Sequence, residues 1–311
     1  MRILTAFLDG VRRVRSAPSV LLGILLVTFL LTLPLGLVLG GMITNSLGHS
    51  LAAESAVEGV NIEWWQEFSA QATGVGRAFT PDTIGFGGVL SNTSSLLDRS
   101  GQPLAVWGAI AAYLAAWIFL VGGVLDRYAR NRPVRAGAFF AACGVFFFRF
   151  LRLALVALVA YGLLFGVVPT WLFGSFYTWA TRDLVVERTA FFLRLALYVL
   201  FGAVLLANNL VFDYAKIRAV VEDRRSMIGA VMGAVRFVRR HPVEAFGLYL
   251  LNGLVFVALL AGYALVAPGA GGSGWSLWLG LAVTHAYLLL RLAVKLLFYA
   301  SQVSLFQASL A

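Results

Sequence analysis

Charge is what this chain has least of. Asp, Glu, Lys and Arg together make up 12% of its 311 residues, against 60% hydrophobic. A soluble domain carries about 25% charged residues to cover its surface, so a water-soluble globule is excluded. Acidic residues are the scarcer sign, 14 against 24 basic, for a formal net charge of +10. Cysteine occurs once, at Cys143, which excludes an intrachain disulfide and a cysteine-rich metal site. Its apolar neighbours make it a small packing residue. The three histidines, His49, His241 and His285, lie far apart and without carboxylates at ligand spacing, so no metal site is expected. No phosphate-binding glycine loop and no Gly-x-Ser-x-Gly elbow occurs. Few carboxylates fall within the apolar runs, which disfavours an intramembrane hydrolase or a proton-coupled pump. No catalytic residues and no cofactor are expected.

Long apolar runs fill the space that charge leaves. They cover about 18–42, 103–125, 153–173, 190–212, 243–267 and 275 towards 307, each near the ~20 residues that cross a bilayer. The expectation is an all-α polytopic membrane protein with six transmembrane helices in one integral membrane domain, 1–311. The first run is too long for a signal-peptide core and lacks a small-residue cleavage site after it, so it reads as an uncleaved span. Pro34 predicts a kink. Gly36 with Gly40, and Gly162 with Gly166, predict close helix approach. The short segment 174–189 reads as loop.

The basic excess needs no nucleic acid to explain it. The N-terminus and the segments after the second and fourth spans are strongly basic, and the 268–274 turn is uncharged. The long loop 43–102 carries Glu54, Glu58, Glu63, Glu67, Asp82 and Asp98 against Arg77 and Arg99, a net of 2 − 6 = −4. By the positive-inside rule both termini are cytoplasmic and loop 43–102 is extracytoplasmic. Its first part, about 46–72, predicts interfacial helix with Trp64 and Trp65 at headgroup depth. Its later part, rich in Gly, Ser and Thr, predicts irregular loop.

An internal repeat underlies the six spans. Shifted by 224 residues, Ala6, Val11, Arg12, Val14, Arg15, Pro18 and Gly23 meet Ala230, Val235, Arg236, Val238, Arg239, Pro242 and Gly247. Shifted by 87, Val124, Asp126, Arg149, Phe150 and Arg152 meet Val211, Asp213, Arg236, Phe237 and Arg239. The even-numbered spans share an exit, Tyr-Ala, at Tyr128, Tyr214 and Tyr299. The unit is a basic amphipathic elbow helix, a hairpin of two spans and a Tyr-Ala exit, over about 1–130 (with insertion 43–102), 131–216 and 217–311. In each elbow two arginines three residues apart share a helical face: Arg12 with Arg15, Arg149 with Arg152, Arg236 with Arg239. The apolar residues between them suit the acyl boundary. Proline opens the following span in the first and third copies, where its missing N–H costs nothing. The middle copy has Leu155 there, so its elbow is expected to run straight into the span. These six arginines are lipid-headgroup candidates, at about 1 kcal/mol per basic residue near an anionic surface. The alternative is that they only set topology.

The six spans, the basic elbows and the exit Asp213, Tyr214, Ala215, Lys216 resemble a group of bacterial six-helix membrane proteins. That group includes the membrane domain accompanying some glycerophosphoryl diester phosphodiesterases. The resemblance implies a bacterial inner (cytoplasmic) membrane and carries over no catalytic residue; no phosphodiesterase domain is present in this chain.

Polar groups inside spans are the other candidates. On the sixth span Thr284, Arg291, Lys295 and Gln302 are spaced by 7, 4 and 7, which at 100° per residue forms one narrow stripe. Asp126 and Asp213 are the expected partners of that stripe. Asn208 and Asn209, with Asn252, are candidates for a polar path. Snorkelling towards the surface is the competing account of Arg291 and Lys295, and His285 points away from the stripe. Three functions remain open: a non-enzymatic protein that binds anionic lipid or scaffolds a membrane-protein partner; a transporter or permease component with a polar path near the sixth span; and a lipid-modifying membrane enzyme.

Overall fold

The computed structural model describes residues 2–48, 50–59, 61–80, 104–184, 186–267 and 274–310. The insertion beyond residue 80 and residues 268–273 of the uncharged turn, for which loop was expected, lie outside them. Among the described residues there is no strand, and six helices are long and apolar enough to cross a membrane. The chain is an all-α polytopic membrane protein. In order, the helices are α1 (Arg2–Arg15), α2 (Pro18–Leu47), α3 (Ala53–Glu58), α4 (Ile62–Gln71), α5 (Leu104–Arg130), α6 (Ala136–Gly166), α7 (Tyr177–Thr181), α8 (Glu187–Val221), α9 (Met227–Arg240), α10 (Pro242–Val266) and α11 (Trp275–Leu310). The spanning helices are apolar on every side yet mostly exposed. In α2 the one buried residue is Ile24. Such a surface is stable only in hydrocarbon, where the helix satisfies its own backbone hydrogen bonds.

Pro34 sits inside α2 without ending it. One expectation about local structure changes. Residues 174–181 are helical rather than loop: a π-helical segment, Thr170–Phe176, follows Pro169 and leads into α7. Proline donates no backbone hydrogen bond, and the chain resumes in the wider i→i+5 register. The hydroxyls of Thr170, Thr178 and Thr181 bond back to carbonyls one turn earlier. The middle elbow has no break: α6 runs from Ala136 past Arg149 and Arg152 to Gly166.

The chain forms two compact units. One comprises Ser16–Trp117 and Asn252–Leu296. Here Trp64, Phe68 and Ala72 form a small core against Met42, Ile43, Leu47, Trp65 and Phe79. Asn61 caps α4 by accepting from the Trp64 N–H, and the Trp64 indole donates to Ser46. Trp64 is therefore a buried core residue rather than an exposed interfacial anchor. A 3₁₀ turn, Gly74–Ala78, occupies the start of the stretch expected to be irregular.

The other unit comprises Met1–Arg15, Ile118–Leu251 and Leu297–Ala311. Its core holds Tyr128, Tyr214 and Tyr299, the three exit tyrosines, all buried. Tyr214 packs on Phe237 at 4.7 Å between ring centroids, and Phe237 on Phe306 at 5.2 Å. Helices approach closely at glycines, but not at the expected ones. A Cβ on Gly10 of α1 would lie 2.7 Å from the Ser301 Cβ and 2.8 Å from its backbone. One on Gly123 would lie 2.6 Å from the sulfur of Cys143, which is buried. Gly36, Gly40, Gly162 and Gly166 meet nothing within 4 Å. Gly10→Ala should lower the unfolding temperature in detergent or nanodiscs, at a cost on the order of 1–3 kcal/mol from overpacking. Gly36→Ala should stay within about 1 kcal/mol of wild type, on the favourable side.

Candidate functional site

α9 exposes three arginines in its last two turns. The chain reverses into it at the end of α8, where Asp223 takes φ +48°. The Asp223 N–H bonds the Val220 carbonyl, and the Arg224 N–H bonds that of Ala219. This is the paired-bond ending in which a left-handed residue satisfies the last helical carbonyls. Ser226 then caps α9 by accepting from the Gly229 N–H at 3.2 Å. One face of α9 is buried through Met227, Ala230, Gly233, Ala234, Phe237 and Val238, and packs chiefly on α8 and also on α6.

The outward face of α9 has two parts. Ile228, Met232 and Val235 are exposed, and their spacing of 4 and 3 forms a narrow apolar stripe. Arg236, Arg239 and Arg240 follow in the last two turns. Met232, Val235 and these three arginines line an open groove of about 450 Å³. None of the three arginines makes a hydrogen bond or ion pair among the described residues. Their position near a helix C-terminus also favours positive charge.

The other two elbows carry the same pattern with their charge partly used. On α1, Leu4 and Leu8 are exposed in the register of Ile228 and Met232, and Arg12 and Arg15 follow. Asp9 takes Arg12 at 2.8 Å and Arg13 at 2.7 Å. Arg13 is buried and donates from Nη1 to the Tyr128 carbonyl at 2.6 Å and to Gln307 Oε1 at 2.9 Å. Gln307 in turn donates to the Ala129 carbonyl at 2.8 Å. Arg13 thus ties α1 to the ends of α5 and α11. It was passed over in the sequence because the repeat matches its neighbours Arg12 and Arg15 and not Arg13 itself. On α6, Val145 and Phe148 are exposed. Arg149 pairs with Asp223 and lies over the Phe146 ring, while Arg152 donates to the Phe148 carbonyl. The Arg149 hydrogen bond and charge hold the Asp223 carboxyl below its ordinary range.

The intramembrane candidates fall into separate local arrangements. Thr284 bonds its own helix at the Gly280 carbonyl, and Arg291 is exposed. The Lys295 ammonium lies 3.4 Å from the Trp117 ring centroid and bonds the Tyr113 hydroxyl at 3.3 Å. The two aspartates that were expected to partner the stripe each form a short-range pair. Asp126 accepts from Arg130 and Asp213 from Lys216, in the same helix each time, because i,i+3 and i,i+4 neighbours are already within reach. Lys216 also bonds the Tyr299 hydroxyl at 3.4 Å. Tyr161 donates to Asn209. Gln302 is wholly buried, with both amide atoms unpaired. His285 bonds the Leu281 carbonyl.

Two tests separate the structural arginine from the exposed ones. Arg13→Ala strips two acceptors of a charged donor and should cost about 3 kcal/mol of stability. Arg12→Ala should stay within about 0.5 kcal/mol. Partial burial raises the Asp9 carboxyl, but hydrogen bonds from Ser304, Arg12 and Arg13 and the Arg13 charge outweigh it and hold it below the usual range. Its contribution is then whole above the unfolded value of about pH 4 and fades as pH falls through the folded one. The unfolding temperatures of wild type and Asp9→Asn should differ at neutral pH and converge in acid.

No protein-family model, curated protein or solved structure matches this chain. What it does is read from its own geometry.

Proposed function

We propose that this chain is a non-enzymatic protein of a bacterial inner membrane that binds anionic lipid at its basic elbows, and that a membrane-protein partner is scaffolded there if lipid is not the ligand. The observation that carries the reading is the α9 groove, where three unpaired arginines follow an exposed apolar stripe. Arginine on a water-facing surface has no need of an apolar approach; arginine at the rim of a bilayer does.

The sidedness of the chain supports cytoplasmic termini. The basic elbows all enter odd-numbered spans. The exposed tryptophans Trp107, Trp171, Trp179, Trp275 and Trp278 lie at the opposite helix ends, as an interfacial aromatic belt would. The shared register of stripe and arginines in α1, α6 and α9 supports a threefold internal repeat.

A second reading, a transporter or permease component, is favoured by the buried amide of Gln302, which has no hydrogen-bond partner among the described residues. Such a group costs stability unless water or a solute pairs with it.

Replacing Arg149, Arg152, Arg236 and Arg239 together by Gln should strip co-purifying anionic lipid from correctly inserted protein in native mass spectrometry. Undiminished lipid would overturn the lipid reading and leave these residues as topology signals. Reporter fusions at either terminus should report the cytoplasm; a periplasmic signal from either would reverse the assignment.

A further inference from the structure

We infer that the α9 groove selects an anionic phospholipid whose headgroup carries two phosphates over one that carries a single phosphodiester. This rests on the lipid-binding reading above and adds the identity of the headgroup.

The first argument is charge. The carboxylates of the elbow and exit segments are mostly committed: Asp9 to Arg12 and Arg13, Asp126 to Arg130, Asp213 to Lys216, Glu222 to Arg218 and Arg224, and Asp223 to Arg149. Arg236, Arg239 and Arg240 are left without an anion among the described residues. A single phosphodiester would cancel one of these three charges. At the edge of a low-dielectric region the remaining repulsion is weakly screened. Two phosphates leave one excess charge instead of two.

The second argument is geometry. Arg239 and Arg240 are three and four residues after Arg236, which lies between them in angle, so the Arg236 Cβ neighbours each of theirs at about 5–6 Å. Guanidinium forks grip phosphate oxygens in pairs. Two phosphates joined through a short glycerol bridge match adjacent forks on one helix face. Met232 lies about one turn before Arg236, and Ile228 one turn before that, so an acyl chain leaving the headgroup finds an exposed apolar track. The groove of about 450 Å³ is open rather than enclosed, with apolar and cationic walls side by side. An amphiphile uses both; a free inorganic anion uses only one.

The third argument is contrast with the other elbows. In the register of the 224-residue shift, α1 has Asp9 where α9 has Gly233, and Ser16 where α9 has Arg240. Asp9 neutralises Arg12, so the last two turns of α1 offer Arg15 alone as an exposed, unneutralised arginine. In the 87-residue register the middle elbow has the buried Leu153 where α9 has Arg240, and its Arg149 is held by Asp223. At position 233 α9 has a bare glycine in place of that carboxylate, and the Arg218 guanidinium packs against it: a Cβ there would lie 2.3 Å from Arg218 Nη1.

The test is native mass spectrometry of the full chain, titrated with diphosphatidylglycerol, phosphatidylglycerol or inorganic pyrophosphate at matched anionic charge. Wild type is expected to hold the two-phosphate lipid about ten-fold more tightly than the one-phosphate lipid, on the scale of one further arginine–phosphate contact. Arg240→Gln should bring the two lipids to near equality without changing the unfolding temperature. Met232→Glu should weaken both lipids. Equal affinity of wild type for the two lipids would overturn the headgroup assignment while lipid binding stands. Failure to hold either lipid would overturn both. Pyrophosphate held as tightly as the two-phosphate lipid would make this a site for a soluble phosphate and overturn the lipid assignment.

Discussion

Hydrocarbon offers the backbone no hydrogen-bonding partner, and most of this chain follows from that. Every crossing segment must be a helix that satisfies itself. Since lipid tails are as apolar as leucine, burying leucine between helices contributes little. The six spanning helices accordingly leave most of their apolar side chains exposed. Packing is concentrated where something other than apolar burial holds helices together. Glycines let α1 meet α11 and α5 meet α6, the exit tyrosines fill the gaps, and one buried guanidinium, Arg13, gathers carbonyl and amide oxygens from two other helices.

Three elbows of similar pattern have come to do different things electrostatically. A basic residue near a bilayer surface can pair with a carboxylate of its own protein or with a lipid. The choice depends on which anion is closest. In α1, Asp9 sits one turn before Arg13 and takes both Arg12 and Arg13. In α6, the left-handed turn after α8 presents Asp223 to Arg149. In α9, the Arg218 guanidinium packs against Gly233, and among the described residues no carboxylate pairs with the arginines of the last two turns. Elbows of similar sequence thus differ electrostatically through a few neighbours.

Much of the fold was legible in the sequence, because span length and the proline at the start of α2 and α10 act through one segment at a time. The site was legible only in part. Arg236 and Arg239 stood out by their register, but Arg240 completes the groove and matches nothing in the other copies. On the sixth span Lys295 lies against Trp117 and Tyr113, a pairing that helical alignment alone does not show. Asp126 and Asp213 are satisfied within their own helices, which helical periodicity cannot rank against a partner from elsewhere. The small-residue pairs at Gly36 and Gly162 were also misleading, since glycine in a span does not by itself say which helix comes close.

The sequence by itself determined that this is an all-α membrane protein with six helices long and apolar enough to cross, and which segments are basic. These follow from solvent transfer and charge, which depend on composition along a short window. The tertiary structure alone decided which arginine is a buried tie, which is neutralised, and which stay without an ion pair among the described residues. Those outcomes depend on distances between residues such as Arg13 and Gln307, or Arg149 and Asp223, that are far apart in the chain. Coulomb and hydrogen-bond energies are set by those separations in space and not by position along the sequence.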